Sequence, residues 1–166
     1  MSETKNRTEN HRSGDLEAST PFYPQRIAFS RKGVVSTAHY RATEAAVRIL
    51  ESGGNAVDAA VAAAFALGVC EPHASGLGGQ TMMLIHDPAT RKNVALDGSS
   101  RAPNRATPGL LRRAERRRGW RATTVPATPA ALDYAARTYG TKPTAELIEP
   151  AIALAEEGYE VSALQN

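Results

Sequence analysis

The sequence is short of the features that most directly announce chemistry. It holds one cysteine in 166 residues. A single thiol cannot close an internal disulfide, so nothing in the composition calls for an oxidising compartment. The four histidines, His11, His39, His73 and His86, are nowhere paired at metal-ligand spacing, and no metal site is expected. The phosphate-cradling pattern G-x-x-x-x-G-K-[ST] is missing. No apolar run reaches the ~20 residues of a membrane span. The first 30 residues are polar, include Pro21 and Pro24, and lack the apolar core of a secretion signal. A cytoplasmic protein without a membrane partner is therefore expected. Neither sign of charge dominates: 20 Lys and Arg stand against 17 Asp and Glu, a formal charge of +3. That is too mild to demand a polyanionic partner.

What remains suffices for one ordinary domain with a core, and 42% of the residues are hydrophobic. Residues 1–24 are rich in Ser, Thr, Glu, Asn and Arg, with little to bury, and read as a disordered tail. Residues 25–166 read as the folded part. Short strands are expected at Ile27–Phe29 and Gly33–Ser36. Thr43–Ser52 places Ala46, Ile49 and Leu50 on one face, with Arg48 and Glu51 outside, as an amphipathic helix requires. Gln80–His86 and Asn93–Leu96 read as two strands joined by the turn Asp87–Thr90. Helices are expected at Gly109–Arg117, Pro129–Tyr139 and Pro143–Glu157, separated by Gly and Pro signals. The order fits a mixed α+β layered fold, and period alone does not choose among such folds.

The most informative stretch runs from Gly53 to Gly79: G-G-N-A-V-D-A-A-V-A-A-A-F-A-L-G-V-C-E-P-H-A-S-G-L-G-G. Gly53 and Gly54 can supply the left-handed conformation that closes a helix. Asn55 can cap the next one, with Asp58 favoured in its first turn. From Ala59 to Cys70 every side chain is apolar or absent. A helix apolar all round is expected to be buried all round.

These residues resemble the N-terminal part of the large subunit in the gamma-glutamyltransferase family. The resemblance extends through G-V-V-S-T-A-H before the stretch, and M-M-L-I-H-D and A-L-D-G-S-S-R-A-P after it. T-V-P-A-T-P-A-A-L and Y-G-T-K-P-T-A-E-L-I-E-P-A-I-A-L-A-E-E-G-Y continue it, in order, to the C-terminal region. It implies an incomplete part of the four-layer αββα fold of N-terminal-nucleophile hydrolases. It also implies a precursor that cuts itself to free a threonine, whose hydroxyl attacks a gamma-glutamyl amide with its own α-amine as base. None of the threonines here sits in that nucleophile motif. The expected partners are therefore the remainder of the large subunit, a small subunit carrying the threonine, and a small gamma-glutamyl or related amide substrate, with no cofactor. The chain alone is expected to be inactive and to bare an apolar face that the rest of the enzyme covers.

The family's large subunit supplies an arginine that grips the substrate α-carboxylate, because a planar guanidinium matches a carboxylate bidentately. Typical members carry it three residues before the Ala-Pro pair. Here that position is Ser99, and Arg101 directly precedes Ala102-Pro103. In an extended segment Ser99 and Arg101 share a face, so both are candidate substrate-binding residues. The R-A-P form also resembles a branch of amidohydrolases and acylases, which leaves glutathione-type donors and other carboxylate-bearing amides both open. A catalytically inactive truncated relic is the non-enzymatic alternative.

Other groups have blander readings. Cys70 near His73 suggests a thiol–base pair, but Cys70 ends an apolar helix, where a free Cys acts as a small hydrophobe. His73 reads as a structural loop residue. Gly76, Gly78 and Gly79 can cradle an anion, but they read first as a tight turn with close backbone packing. Arg112, Arg113, Arg116, Arg117, Arg118 and Arg121, with Trp120 beside them, form the one basic run. It reads as a solvated helix with Glu115 among the arginines, and no nucleic-acid partner is expected.

Overall fold

The computed structural model describes residues 28–161. The expected tail at 1–24 lies outside them, as does Ile27. Chain contacts divide the molecule into two units, Met1–Val34 and Val35–Asn166. In the first, the Ser30 hydroxyl accepts from the N–H groups of Lys32 and Gly33, at 3.1 and 3.4 Å.

The second unit runs α1 (Tyr40–Glu51), α2 (Ala56–Cys70), β1 (Thr81–Asp87), β2 (Lys92–Gly98), two 3₁₀ turns (Arg113–Arg116 and Trp120–Ala122), α3 (Thr128–Tyr139) and α4 (Thr144–Glu157). It is an α+β arrangement with one two-stranded antiparallel sheet. No helix among the described residues is long and apolar enough to cross a membrane. The helices follow their sequence signals closely. Gly53, at φ 89°, ends α1. The N–H groups of Gly53 and Gly54 donate to the carbonyls of Leu50 and Ile49, at 3.1 and 2.9 Å, the paired bonds of a Schellman stop. Asn55 opens α2 with a reciprocal cap. Its Oδ1 accepts from Val57 and Asp58 (2.8 and 2.9 Å), while Asp58 Oδ2 accepts from the Asn55 N–H at 2.8 Å.

Helix α2 is the hub and packs against α1, α3 and α4. Val61, Ala62 and Phe65 from α2, Ile49 from α1, Leu132 from α3 and Leu147 from α4 meet in one core. A second cluster joins Ala42, Ala45, Ala66 and Cys70, and the Tyr159 hydroxyl donates to the Val69 carbonyl beside it at 3.2 Å. The expectation that α2 is buried on every side is corrected. Ala56 and Ala60 are exposed, and Ala64 and Gly68 are half-buried, which traces one open stripe. Alanine and glycine carry so little apolar area that leaving them uncovered costs little.

Asp58 is fully buried and ties α2 to the α3–α4 connection. Beyond Asn55, it accepts from the Thr141 N–H at 3.0 Å, the Thr141 hydroxyl at 2.6 Å and the Lys142 N–H at 3.2 Å. Burial pushes its carboxyl up. The Thr141 hydroxyl and the N–H groups of Asn55, Thr141 and Lys142 outweigh that and hold it below the usual carboxylate range. A side chain at Gly140 would overlap this carboxylate and the Ala136 carbonyl, so the connection needs glycine there.

Two further expectations are corrected. Residues 33–36 form no strand; among the described residues no neighbouring strand offers them a ladder, and an extended segment without one is not a sheet element. Gly109–Arg117 is not a helix. Only Arg113–Arg116 winds, and as a 3₁₀ turn. Gly109 and Gly119, both with positive φ, bracket a stretch whose only large apolar residues are Leu110 and Leu111. A short segment without an apolar face to bury gains too little to propagate a helix.

Candidate carboxylate-binding segment

The hairpin positions the candidate site. Thr81 pairs with Gly98, and the register runs without a bulge to Asp87 opposite Lys92. At the turn, Asp87 accepts from the Ala89 N–H (2.9 Å) and the Thr90 hydroxyl (2.6 Å). Met83, Ile85 and Leu96 turn toward the core, whereas Met82 and Leu84 are 70% and 77% exposed. The sheet therefore has one covered face and one bare face.

Helix α3 lies close against the end of β2. A Cβ at Gly98 would overlap both the Thr81 carbonyl and the Ala131 side chain. The Gly79 carbonyl accepts from the N–H groups of Ala127 and Thr128 at the start of α3 (3.1 and 3.4 Å), and the Thr81 hydroxyl donates to Thr128 Oγ1 at 3.0 Å. The Gly-rich loop is thus a turn packed on a helix start. Among Gly76, Gly78 and Gly79 none has positive φ, and a Cβ at Gly76 or Gly78 would meet no atom within 4 Å, so neither left-handed backbone nor the expected close packing accounts for these two glycines.

Strand β2 stops at Gly98, and Ser99 follows outside the ladder. The N–H and hydroxyl of Ser99 both donate to Asp97 Oδ1, at 2.9 and 2.5 Å. These bonds, the hydroxyl foremost, hold Asp97 below the usual carboxylate range. Ser99 has a single hydroxyl proton, and it goes to Asp97; the oxygen keeps only accepting capacity. Two residues on, Arg101 forms an isolated antiparallel bridge with Val125: its N–H donates to the Val125 carbonyl (3.3 Å), and its carbonyl accepts from the Val125 N–H (2.8 Å). The Arg101 side chain is exposed. Among the described residues no carboxylate pairs with it. Ser99 and Arg101 thus differ: one hydroxyl is turned back on its own strand, and one guanidinium is open to an anion.

Asp97 escaped the reading of the sequence, although an acid two residues before Ser99 is a recognisable local hydrogen-bonding pattern. Val125 left no signal, since a lone bridge imposes no periodicity. Cys70 is fully buried, and burial raises its thiol. That leaves it a poor nucleophile and matches the core reading. His73 is exposed in the loop after α2.

The chain is similar to known proteins over most of its length. A family model described as gamma-glutamyltranspeptidase matches residues 42–166. The chain is 37% identical over 148 residues to the glutathione hydrolase proenzyme of Bacillus subtilis (strain 168), covering 84% of this chain and 25% of that protein. Among solved structures, Helicobacter pylori gamma-glutamyltranspeptidase superposes with a TM-score of 0.77 at 40% identity, over 84% of this chain and 42% of the other. Cephalosporin acylase from Bacillus halodurans superposes with a TM-score of 0.70 at 36% identity, over 88% of this chain and 29% of that one. The chain thus spans about a quarter of the length of the curated relative and less than half of either solved structure. The cap at Asn55–Asp58, the hairpin and the R-A-P segment all fall within the matched residues, and the chain belongs to the gamma-glutamyltranspeptidase family, carrying part of its N-terminal-nucleophile hydrolase fold.

Proposed function

We propose that this chain provides the N-terminal, carboxylate-binding part of an enzyme that transfers or hydrolyses gamma-glutamyl groups. The nucleophile in this reading is an N-terminal threonine, outside this chain, in the portion of the relatives that it does not match. Its hydroxyl oxygen adds to the amide carbonyl, its proton passes to the threonine α-amine, and that ammonium returns it to the donor's amine, which leaves as the C–N bond breaks. Water or an acceptor amine then takes the acyl group from the ester.

The observation that carries the reading is Arg101. Its backbone is fixed from both sides by Val125, while its guanidinium is exposed and without a carboxylate partner among the described residues. A pinned backbone under an open planar cation suits bidentate capture of a substrate α-carboxylate. Ser99 contributes an acceptor oxygen beside Asp97 rather than a donor. In an enzyme assembled with its remaining portion, Arg101→Ala should raise KM for a gamma-glutamyl donor roughly 10- to 100-fold, the worth of a charge-assisted hydrogen-bond pair. An unchanged KM would remove Arg101 from the site.

A second reading, an acylase acting on another carboxylate-bearing amide, is favoured by Ser99 at the typical arginine position and by the likeness to cephalosporin acylase. Comparing kcat/KM for a gamma-glutamyl anilide and a glutaryl anilide separates the two. The donors differ only in the α-amino group, so preference for the glutaryl compound selects the acylase reading.

A further inference from the structure

We propose that the segment between Arg101 and Val125 is a docking surface for an extended acidic peptide. Seven of the chain's 20 Lys and Arg lie between Arg105 and Arg121, against one of its 17 Asp and Glu, and all seven are arginines. The rest of the chain is net acidic, so this loop accounts for the chain's net positive charge.

Folding does not account for that concentration. No described side chain from Ala102 to Val125 is buried, and the backbone bridge at Arg101 and Val125 closes the loop at its base. The single acid is already used. Glu115 accepts from the Arg112 N–H at 2.9 Å and pairs with the Arg121 guanidinium at 2.8 Å. Arg121 in turn lies over the Trp120 ring, 5.4 Å from its centroid. Arg105, Arg112, Arg113, Arg117 and Arg118 are exposed, and among the described residues none pairs with a carboxylate. Like charges held this close repel one another, and an anionic partner relieves that repulsion.

The chemistry selects carboxylates over nucleic acid. Non-specific binding of single strands relies on several aromatic platforms on which successive bases stack. This loop has one, Trp120, and its own Arg121 sits over that ring. Exclusive use of arginine suits carboxylate and phosphate oxygens alike, so the scarcity of stacking platforms is what decides for carboxylates. The net acidic remainder of the chain disfavours a polyanion long enough to leave the loop. The surface is distinct from the grip assigned to Arg101, and its test leaves that residue intact.

The test is fluorescence anisotropy of the 166-residue chain with a short labelled oligo-glutamate peptide. Oligo-glutamine and oligo-thymidylate of the same length serve as comparisons, each at low and physiological salt. Oligo-glutamate should bind and oligo-glutamine should not, and the affinity should fall as salt rises. R112Q/R113Q and R117Q/R118Q should each weaken binding several-fold, and the four changes together roughly tenfold or more. R48Q/R137Q, which removes two exposed arginines elsewhere, should leave binding unchanged. All six side chains are exposed, so circular dichroism should show each variant folded as the parent. The proposal is overturned if oligo-glutamate fails to bind or the loop variants bind it as the parent does. It is equally overturned if R48Q/R137Q loses as much, or if oligo-thymidylate binds as tightly as oligo-glutamate.

Discussion

The four helices and the segment from Thr81 to Val125 are built on opposite terms. In the helical half, α2 alone contributes nine buried residues, and Asp58 gathers four donors from Asn55, Thr141 and Lys142. In the other half, Gly98 is the one described residue that is buried, and it is buried because a helix leans on it. Stability is concentrated where no candidate chemistry lies, and the candidate chemistry lies where almost nothing is buried. Substitutions in the two halves should therefore report on different properties, and each can be used to break that division.

The largest expected effect is at Asp58. Asp58→Ala strips the acceptor from four donors, three backbone N–H groups and the Thr141 hydroxyl. A buried donor left unsatisfied costs about 1–3 kcal/mol; Thr141 is exposed and Asn55 and Lys142 are half-buried, so water spares part of this and the sum should lie near the low end, about 4 kcal/mol, in a urea titration. A loss under 1 kcal/mol would mean that the α3–α4 connection holds without its anchor. The same carboxylate sets an acid limit. Its folded pKa is below the unfolded one, so its contribution is fully present above about pH 4. That contribution is lost as pH falls through the depressed folded value. Asp58→Asn should flatten this acid limb of the stability curve. An unchanged limb would assign it to other carboxylates.

Next comes the hinge between the halves. Gly98→Ala forces a methyl group into the Thr81 carbonyl and the Ala131 side chain. Overpacking of this kind costs about 1–3 kcal/mol, and here the damage should be local. Hydrogen exchange should quicken in β1 and β2 while the amides of α2 keep their protection. Equal loosening of α2 would show that the two halves are one cooperative unit.

How much of this was legible in the sequence depends on range. The Asn55–Asp58 cap, the Gly53–Gly54 stop and the Asp87–Thr90 turn are local devices, written within a few residues of where they act. All three are where the pattern places them. The second duty of Asp58, toward Thr141 and Lys142, spans more than eighty residues and leaves no spacing to read. For the same reason Gly140 reads as a helix stop, although its larger role is room for the Asp58 carboxylate. The open stripe on α2 was hidden because alanine is apolar by composition yet indifferent to exposure. At the candidate site, Arg101 was found by resemblance. The bond that holds its backbone to Val125 and the Asp97 contact that occupies Ser99 needed coordinates.

The smallest effects should fall on the outer hairpin and on Arg101. Leu84 is 77% exposed, so Leu84→Ala in this chain should change stability by no more than about 0.5 kcal/mol. Leu132→Ala, at a fully buried position, should cost about 2–5 kcal/mol. The residue type is the same in both, and strand or helix propensity differs by no more than about 1 kcal/mol, so the contrast reports chiefly burial. Arg101→Ala belongs with Leu84. Only its backbone is engaged, and alanine keeps both bonds to Val125. Its melting midpoint should stay within about 2 °C of the parent, even as substrate affinity in the assembled enzyme falls. A larger drop in the midpoint would mean that the guanidinium is holding the loop rather than awaiting a carboxylate.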